Sequence, residues 1–225
     1  AVGHGMQVFD LTRLRSVDPS NGPIEFTADA VYEGFGNAHN IVINENNAYA
    51  YAVGTTTFSG GPHIIDISDP LNPTAAGGYS SEGYSHDGHV VTYTGPDTDY
   101  LDSEIYIGSN ENEVVIIDIT NKSNPALISK IDYPNVGYTH QGWFTSDMRY
   151  FILGDETDEL DMGFNTRTLV FDLIDLDNPT LHTSYSGPTE AIDHNGYVKG
   201  AELFLANYTA GIRIINVSDV SNMNE

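Results

Sequence analysis

One stretch decides the fold of this chain: GYTHQGWFTSDMRYFILGDETDE, residues 137–159. A Thr-His-Gln triplet opens an apolar strand, Ser146-Asp147 supplies a turn, a second apolar strand follows, and carboxylates close the unit. The opening recurs as Ala38-His39-Asn40, Ser85-His86-Asp87 and Asp193-His194-Asn195. The four histidines stand 47, 54 and 54 residues apart, and a period of that size built from short strands marks a β-propeller.

Working outward, each repeat reads as four antiparallel strands. Strand a carries the histidine. Strand b covers 48–53, 104–107, 149–153 or 202–206, and strand c covers 6–10, 63–67, 115–119, 169–173 or 213–217. Strand c holds an Asp or Asn after an apolar pair, and a polar turn follows it: Asp69-Pro70-Leu71-Asn72-Pro73, Ser123-Asn124-Pro125 or Asp177-Asn178-Pro179. Proline fixes φ and Asn/Asp side chains close Asx-turns, so the chain reverses there. Strand d then follows, as at 126–133 and 180–185. No stretch has a convincing 3.6-residue apolar period, so little helix is expected.

The expectation is an all-β fold, a single domain over 1–225 with three complete blades and partial blades at both ends. The chain opens on a c–d pair and stops after a fourth a–b–c set. Unpaired edges of that kind call for strands from elsewhere in a longer protein or from a neighbouring subunit. No signal peptide is legible at the first residues, AVGHGMQVFD, which already read as strand.

Composition narrows the function. The chain has 225 residues, 32 acidic against 8 basic, a formal net charge of −24 and no cysteine. Such a surface repels phosphate backbones, which argues against nucleic acid. It suits a saline or calcium-rich exterior, although acidity alone also serves solubility. Without cysteine there are no disulfides, thiolate ligands or cysteine nucleophiles. No apolar run reaches 18 residues, so no transmembrane segment is expected.

The strands ending in IIDISDPLNP look like LVIVD-type repeats. Together with HGMQVFDLTRLR, TGPDTDYLDSEIYIGSNENEVVIIDIT, YPNVGYTHQGWFTSDMRYFILGDETDE and GPTEAIDHN, they make the chain resemble the choice-of-anchor B family. That resemblance implies a bacterial exported, surface-associated propeller with further repeats before the first residue. It implies no biochemical activity.

Two constellations could carry chemistry. If strand a is innermost, His39, His86, His140 and His194 converge on the axis, where neutral imidazoles can bind a transition metal such as Zn or Cu. Asn40, Asp87, Gln141, Asp193 and Asn195 could orient their rings. Alternatively, each histidine ties a loop of its own blade by hydrogen bonds. If an ion is held, His140 and His194 are the expected pair, with water or a carboxylate completing the shell. The second constellation is acidic: Asp97, Asp99, Asp102 and Glu104 in one loop, and Asp155, Glu156, Asp158 and Glu159 after a strand b. Hard oxygens on loops suit Ca²⁺, though neither loop has EF-hand spacing. Trp143, Tyr84, Tyr138 and Tyr197 lie near the histidines, as a ligand lining or as blade packing.

No nucleophile elbow, P-loop or dinucleotide fingerprint is present. The reading is therefore an extracellular or cell-surface binding or assembly module stabilised by calcium, with a protein, a glycan or a neighbouring subunit as partner. The alternative is a metal-dependent oxidoreductase or hydrolase using the histidine ring.

Overall fold

A computed structural model describes residues 3–225 of the chain. It is a β-propeller arc of antiparallel sheets. A two-stranded pair, β1 (Met6–Val8) and β2 (Ala30–Tyr32), precedes the first blade. That blade is β3 (Asn40–Asn44), β4 (Tyr49–Val53), β5 (His63–Asp66) and β6 (Thr74–Gly78). The second is β7 (Asp87–Thr92), β8 (Glu104–Ser109), β9 (Val114–Asp118) and β10 (Ala126–Ile131). The third is β11 (Thr139–Phe144), β12 (Tyr150–Asp155), β13 (Arg167–Asp172) and β14 (Thr180–Ser186). A three-stranded sheet follows: β15 (Gly196–Lys199), β16 (Glu202–Asn207) and β17 (Gly211–Asn216). Among the described residues, this last sheet shares no ladder with the β1–β2 pair. The α-helix α1 (Asp158–Met162) ends at Gly163, whose φ of 71° is the left-handed stop a side chain would strain. Among the described residues, no helix is long and apolar enough to cross a membrane.

The recurring Asp/Asn of strand c has a structural job. Asp10, Asp66, Asp118, Asp172 and Asn216 each accept the backbone N–H two residues on, at 2.8–3.0 Å. Each closes the turn that starts the way to strand d. Asp69 and Asp175 repeat the device in the Asn-Pro turns, taking the amides of Leu71 and Asp177. Asn207, which opens an Asn-Tyr-Thr triplet, is buried and bonded to the carbonyl of Ala191, so it is no surface acceptor for glycan.

The core lies between blades. Tyr51, Val53 and Ile64 of the first blade meet Val90, Tyr106 and Val115 of the second. Ile105, Ile107 and Ile116 meet Phe144, Phe151 and Leu169, and Ile152 and Val170 meet Leu203, Leu205 and Ile215. Tyr32 and Phe35 cover Ala50, Ala52 and Ile65 on the outer face of the first blade. Strands buried on both faces in this way read as continuous Val/Ile runs, which is why strand c stands out in sequence. The packing places β3, β7, β11 and β15 side by side around the axis.

Candidate metal centre at the mouth of the axial channel

The four histidines stand where strand a begins, at one mouth of the channel, and the arc brings their rings into a continuous row. Ring centroids are 3.8 Å apart for His39 and His86, 4.7 Å for His86 and His140, and 4.3 Å for His140 and His194. These contacts cross blades rather than staying within them. His140 owes its aim to a β-bulge: Thr139 pairs with Asp155 and Gln141 with Gly154, leaving His140 as the extra residue of β11. Bulges re-aim side chains in this way.

Glu156, one residue beyond β12, enters the row. Its Oε2 lies 3.5 Å from His140 Nε2 and its Oε1 3.7 Å from His194 Nε2. His86, His140 and Glu156 each offer a ligand atom, and the three atoms lie within 4.8 Å of one another. Ligands of a tetrahedral ion with bonds of about 2.0–2.2 Å stand roughly 3.3–3.6 Å apart. The His140–Glu156 spacing already meets that. The expected His140–His194 pair is therefore joined by a carboxylate, while His86 makes the more compact triad and His39 stays exposed at the end of the row.

The protonation states suit a cation. Burial, reinforced by the neighbouring His39, lowers the pKa of His86 to about 4. Burial, reinforced by His194, His86 and His39, lowers that of His140 to about 3. Both rings are neutral at pH 7, so no proton competes for their lone pairs. A hydrogen-bond chain also fixes a tautomer. The Tyr138 hydroxyl donates to Glu111 Oε1 at 2.8 Å and stands 2.8 Å from His86 Nδ1. With its proton directed at Glu111, the phenol oxygen accepts from His86 Nδ1–H, which leaves Nε2 as the acceptor. His140 Nδ1 is buried without a partner. Tyr208 donates to Glu156 Oε1 at 2.7 Å from the open side.

Polar neighbours expected to orient the rings do other work. Asn40 Nδ2 donates to Asp87 Oδ2 at 2.5 Å, and Gln141 Oε1 accepts from Gly196 N at 2.8 Å. Asp193 sits behind His194 with Asp155, Asp158 and Glu159, all buried. Asp155 takes the amides of Gly137 and Tyr138, and Arg167 bonds Asp158 Oδ2 at 2.5 Å. Both Asp193 oxygens, Asp158 Oδ1 and Glu159 Oε2 lack partners. Gly154 leaves room for this cluster, since a Cβ there would come within 2.6 Å of Asp193 Oδ2 and push that carboxylate aside.

The other acidic loop is divided. Asp97 groups with Asp175 and Asp177 of the next blade, its Oδ2 also accepting from Leu176 N at 2.8 Å. Asp99 and Asp102 are exposed beside it. Glu104 belongs to β8, where it is buried, paired with Lys122 and bonded by Asn44 at 2.8 Å.

The buried acid cluster makes stability depend on pH. Burial raises Asp158 to about 6 despite Arg167, raises Glu159 to about 7, and raises Asp193 well above its usual value, reinforced by Glu159. Groups raised in the fold stabilise it fully below their unfolded values near 4, and that contribution is lost as pH climbs through 6 and 7. In EDTA, the melting temperature should be lower at pH 8 than at pH 5. Asp193→Asn should narrow that gap by raising the pH 8 value. A gap unchanged by the substitution would dissociate the cluster from the effect.

Fold and site together define a repeat-built propeller with a histidine-carboxylate mouth. The LVIVD repeat family model matches residues 35–81 and 105–132, the first blade and the last three strands of the second. A search of curated proteins gives no match. Among solved structures, a Lactobacillus plantarum protein is 12% identical with a TM-score of 0.58, covering 82% of this chain and 55% of its own. Kuenenia stuttgartiensis hydrazine synthase is 12% identical at a TM-score of 0.56, covering 80% and 53%. The periplasmic gluconolactonase of Pseudomonas aeruginosa is 11% identical at 0.57, covering 84% and 52%. At such identities the likeness is one of fold. The chain spans about half the length of these structures.

Proposed function

We propose that this chain is a metal-holding binding module, a propeller arc whose channel mouth takes one divalent transition-metal ion through His86, His140 and Glu156, with His194 beside them. The observation that carries the reading is the convergence of two neutral imidazoles and a carboxylate from neighbouring blades within 4.8 Å. Softness of the donors favours Zn or Cu over Mg or Ca. Export and display at a bacterial cell surface are part of the proposal, supported by the choice-of-anchor B resemblance and the charge of −24. The partner would be a surface protein or glycan, or a neighbouring subunit at the open sheets. Protein purified without nickel resin, stripped with chelator and titrated with Zn²⁺ should bind one equivalent by calorimetry and elemental analysis. Absence of stoichiometric binding ends the proposal.

A metal-dependent hydrolase or oxidoreductase is the second reading. Two imidazoles and one carboxylate form the kind of three-residue set that leaves a catalytic zinc a free position. Metal-dependent turnover of activated esters or of a redox dye, lost in a Glu156→Gln variant, would select it.

Calcium is the other ion of the proposal, at Asp97, Asp175 and Asp177, where two blades meet. An ion bound only by the fold stabilises it by about 2.7 kcal/mol at a hundredfold excess over its Kd. For a domain of this size that raises Tm by roughly 5–10 °C. Melts in CaCl₂, EDTA and NaCl of matched ionic strength separate binding from screening. Equal values in CaCl₂ and NaCl would leave only screening.

A further inference from the structure

Below the histidine row the channel opens into a cavity of about 410 Å³, lined by the strand a residues of all four blades and by Glu45 at the end of β3. Its chemistry is one-sided. Asp87 and Glu45 are its charged residues, and no Lys or Arg lines it. Asp87 is buried, and its two oxygens accept only neutral donors, Gly88 N at 2.6 Å and Asn40 Nδ2 at 2.5 Å. A carboxylate withdrawn from water without a counter-ion is costly, and hydrogen bonds from neutral groups offset that cost only in part. His89, the nearest basic side chain, is held neutral by burial, its pKa lowered to about 4.

Part of the wall is aromatic. Trp143 stands with its ring 5.0 Å from Tyr197 at 69°, and His89 lies 4.0 Å from its other side. Tyr197 is half exposed, so this wall is open to the cavity. Ile41 and Ile43 complete an apolar floor on β3. A cavity lined by a buried carboxylate, a Trp–Tyr corner and isoleucines is complementary to a compact organic cation: the charge meets Asp87 and the exposed Tyr197 ring, and the alkyl groups meet the isoleucines.

We propose that the channel is a binding site for a small alkylammonium ligand, seated between Asp87 and the Trp143–Tyr197 corner. This names the ligand class of the binding module proposed above and rests on that reading of the channel, but it does not require the metal. The charge of −24 raises the concentration of cations around the protein as a whole.

Trp143 is the only tryptophan of the chain, so its fluorescence reports on this cavity alone. Chelator-treated protein is titrated with tetramethylammonium or choline chloride, with NaCl at matched ionic strength, and with glucose. The expected result is a saturable change with the ammonium salts only. Asp87→Asn should weaken that response at least tenfold, and Tyr197→Leu, at a half-exposed position that leaves folding undisturbed, should weaken it several-fold. Circular dichroism verifies the fold of both. A saturable response to glucose, an equal response to NaCl, or wild-type titration by a folded Asp87→Asn protein would each overturn the proposal. Because the titration is done without metal, a failed zinc measurement leaves its outcome unaffected, and a failed titration leaves the zinc site standing.

Discussion

His140→Ala protein is expected to lose stoichiometric zinc binding while remaining folded. His140 shares one oxygen of Glu156 at 3.5 Å and sits between His86 and His194, so its removal breaks the row at its centre. Affinity should fall by more than the 10- to 100-fold typical of losing an outer partner. The fold should tolerate the change, because the imidazole is neutral and its buried Nδ1 has no partner to abandon. A stability cost of about 2–5 kcal/mol is expected for the cavity left behind. Glu156→Gln should act similarly by deleting the anionic ligand. Tyr138→Phe should cost only about 10- to 100-fold, since it frees the His86 ring without removing a ligand. His182→Ala is the control: its ring bonds Ser221 at 2.8 Å on the outer strand and should leave zinc untouched. If His140→Ala unfolds the protein and metal content never differed, the histidine row is a blade-tying device.

The propeller itself was legible because its signals are local and repeated. Strand c is a short apolar run closed by an Asp whose carboxylate caps the next turn, and that chemistry must recur in every blade. The histidine row was legible for the same reason, since each His opens an inner strand. The site's other members were not. Glu156 reads in sequence as one more carboxylate of an acidic burst. It reaches His140 only because β12 pairs with a bulged β11. Glu111 and Tyr138 belong to different blades, and their link to His86 depends on how the second blade packs on the third. Asp193 looks like a natural neighbour for its own histidine, yet the chain turns it away into a buried acid cluster. Glu104 adjoins the acidic loop in sequence, whereas the fold makes it the first residue of a strand buried along its whole length and pairs it with Lys122. Contacts between blades carry no sequence period, and these are the ones that build the mouth.

The same cluster yields the largest expected effect on stability. Arg167 is the cation facing it, bonded to Asp158 Oδ2 at 2.5 Å and 3.4 Å from Asp155 Oδ2. Its guanidinium also donates to the carbonyls of Asn135 at 2.7 Å and Pro134 at 3.3 Å, holding the loop that leads to Tyr138. Arg167→Ala leaves two fully buried carboxylates without a counter-charge, a loss of about 3–5 kcal/mol. In a domain of this size that lowers Tm by roughly 6–20 °C. Arg167→Lys should recover only part of it, because a point charge cannot fork between a carboxylate and two carbonyls. The double change Arg167→Ala with Asp158→Ala should be less damaging than the sum of the single changes, since the second removes the charge orphaned by the first. Additive losses would mean that Arg167 acts through its carbonyl contacts alone. Zinc affinity measured on the folded fraction decides whether the cluster also positions the mouth: Arg167 braces the segments on either side of Glu156, so a folded Arg167→Lys protein should bind zinc more weakly than wild type, with the histidines untouched.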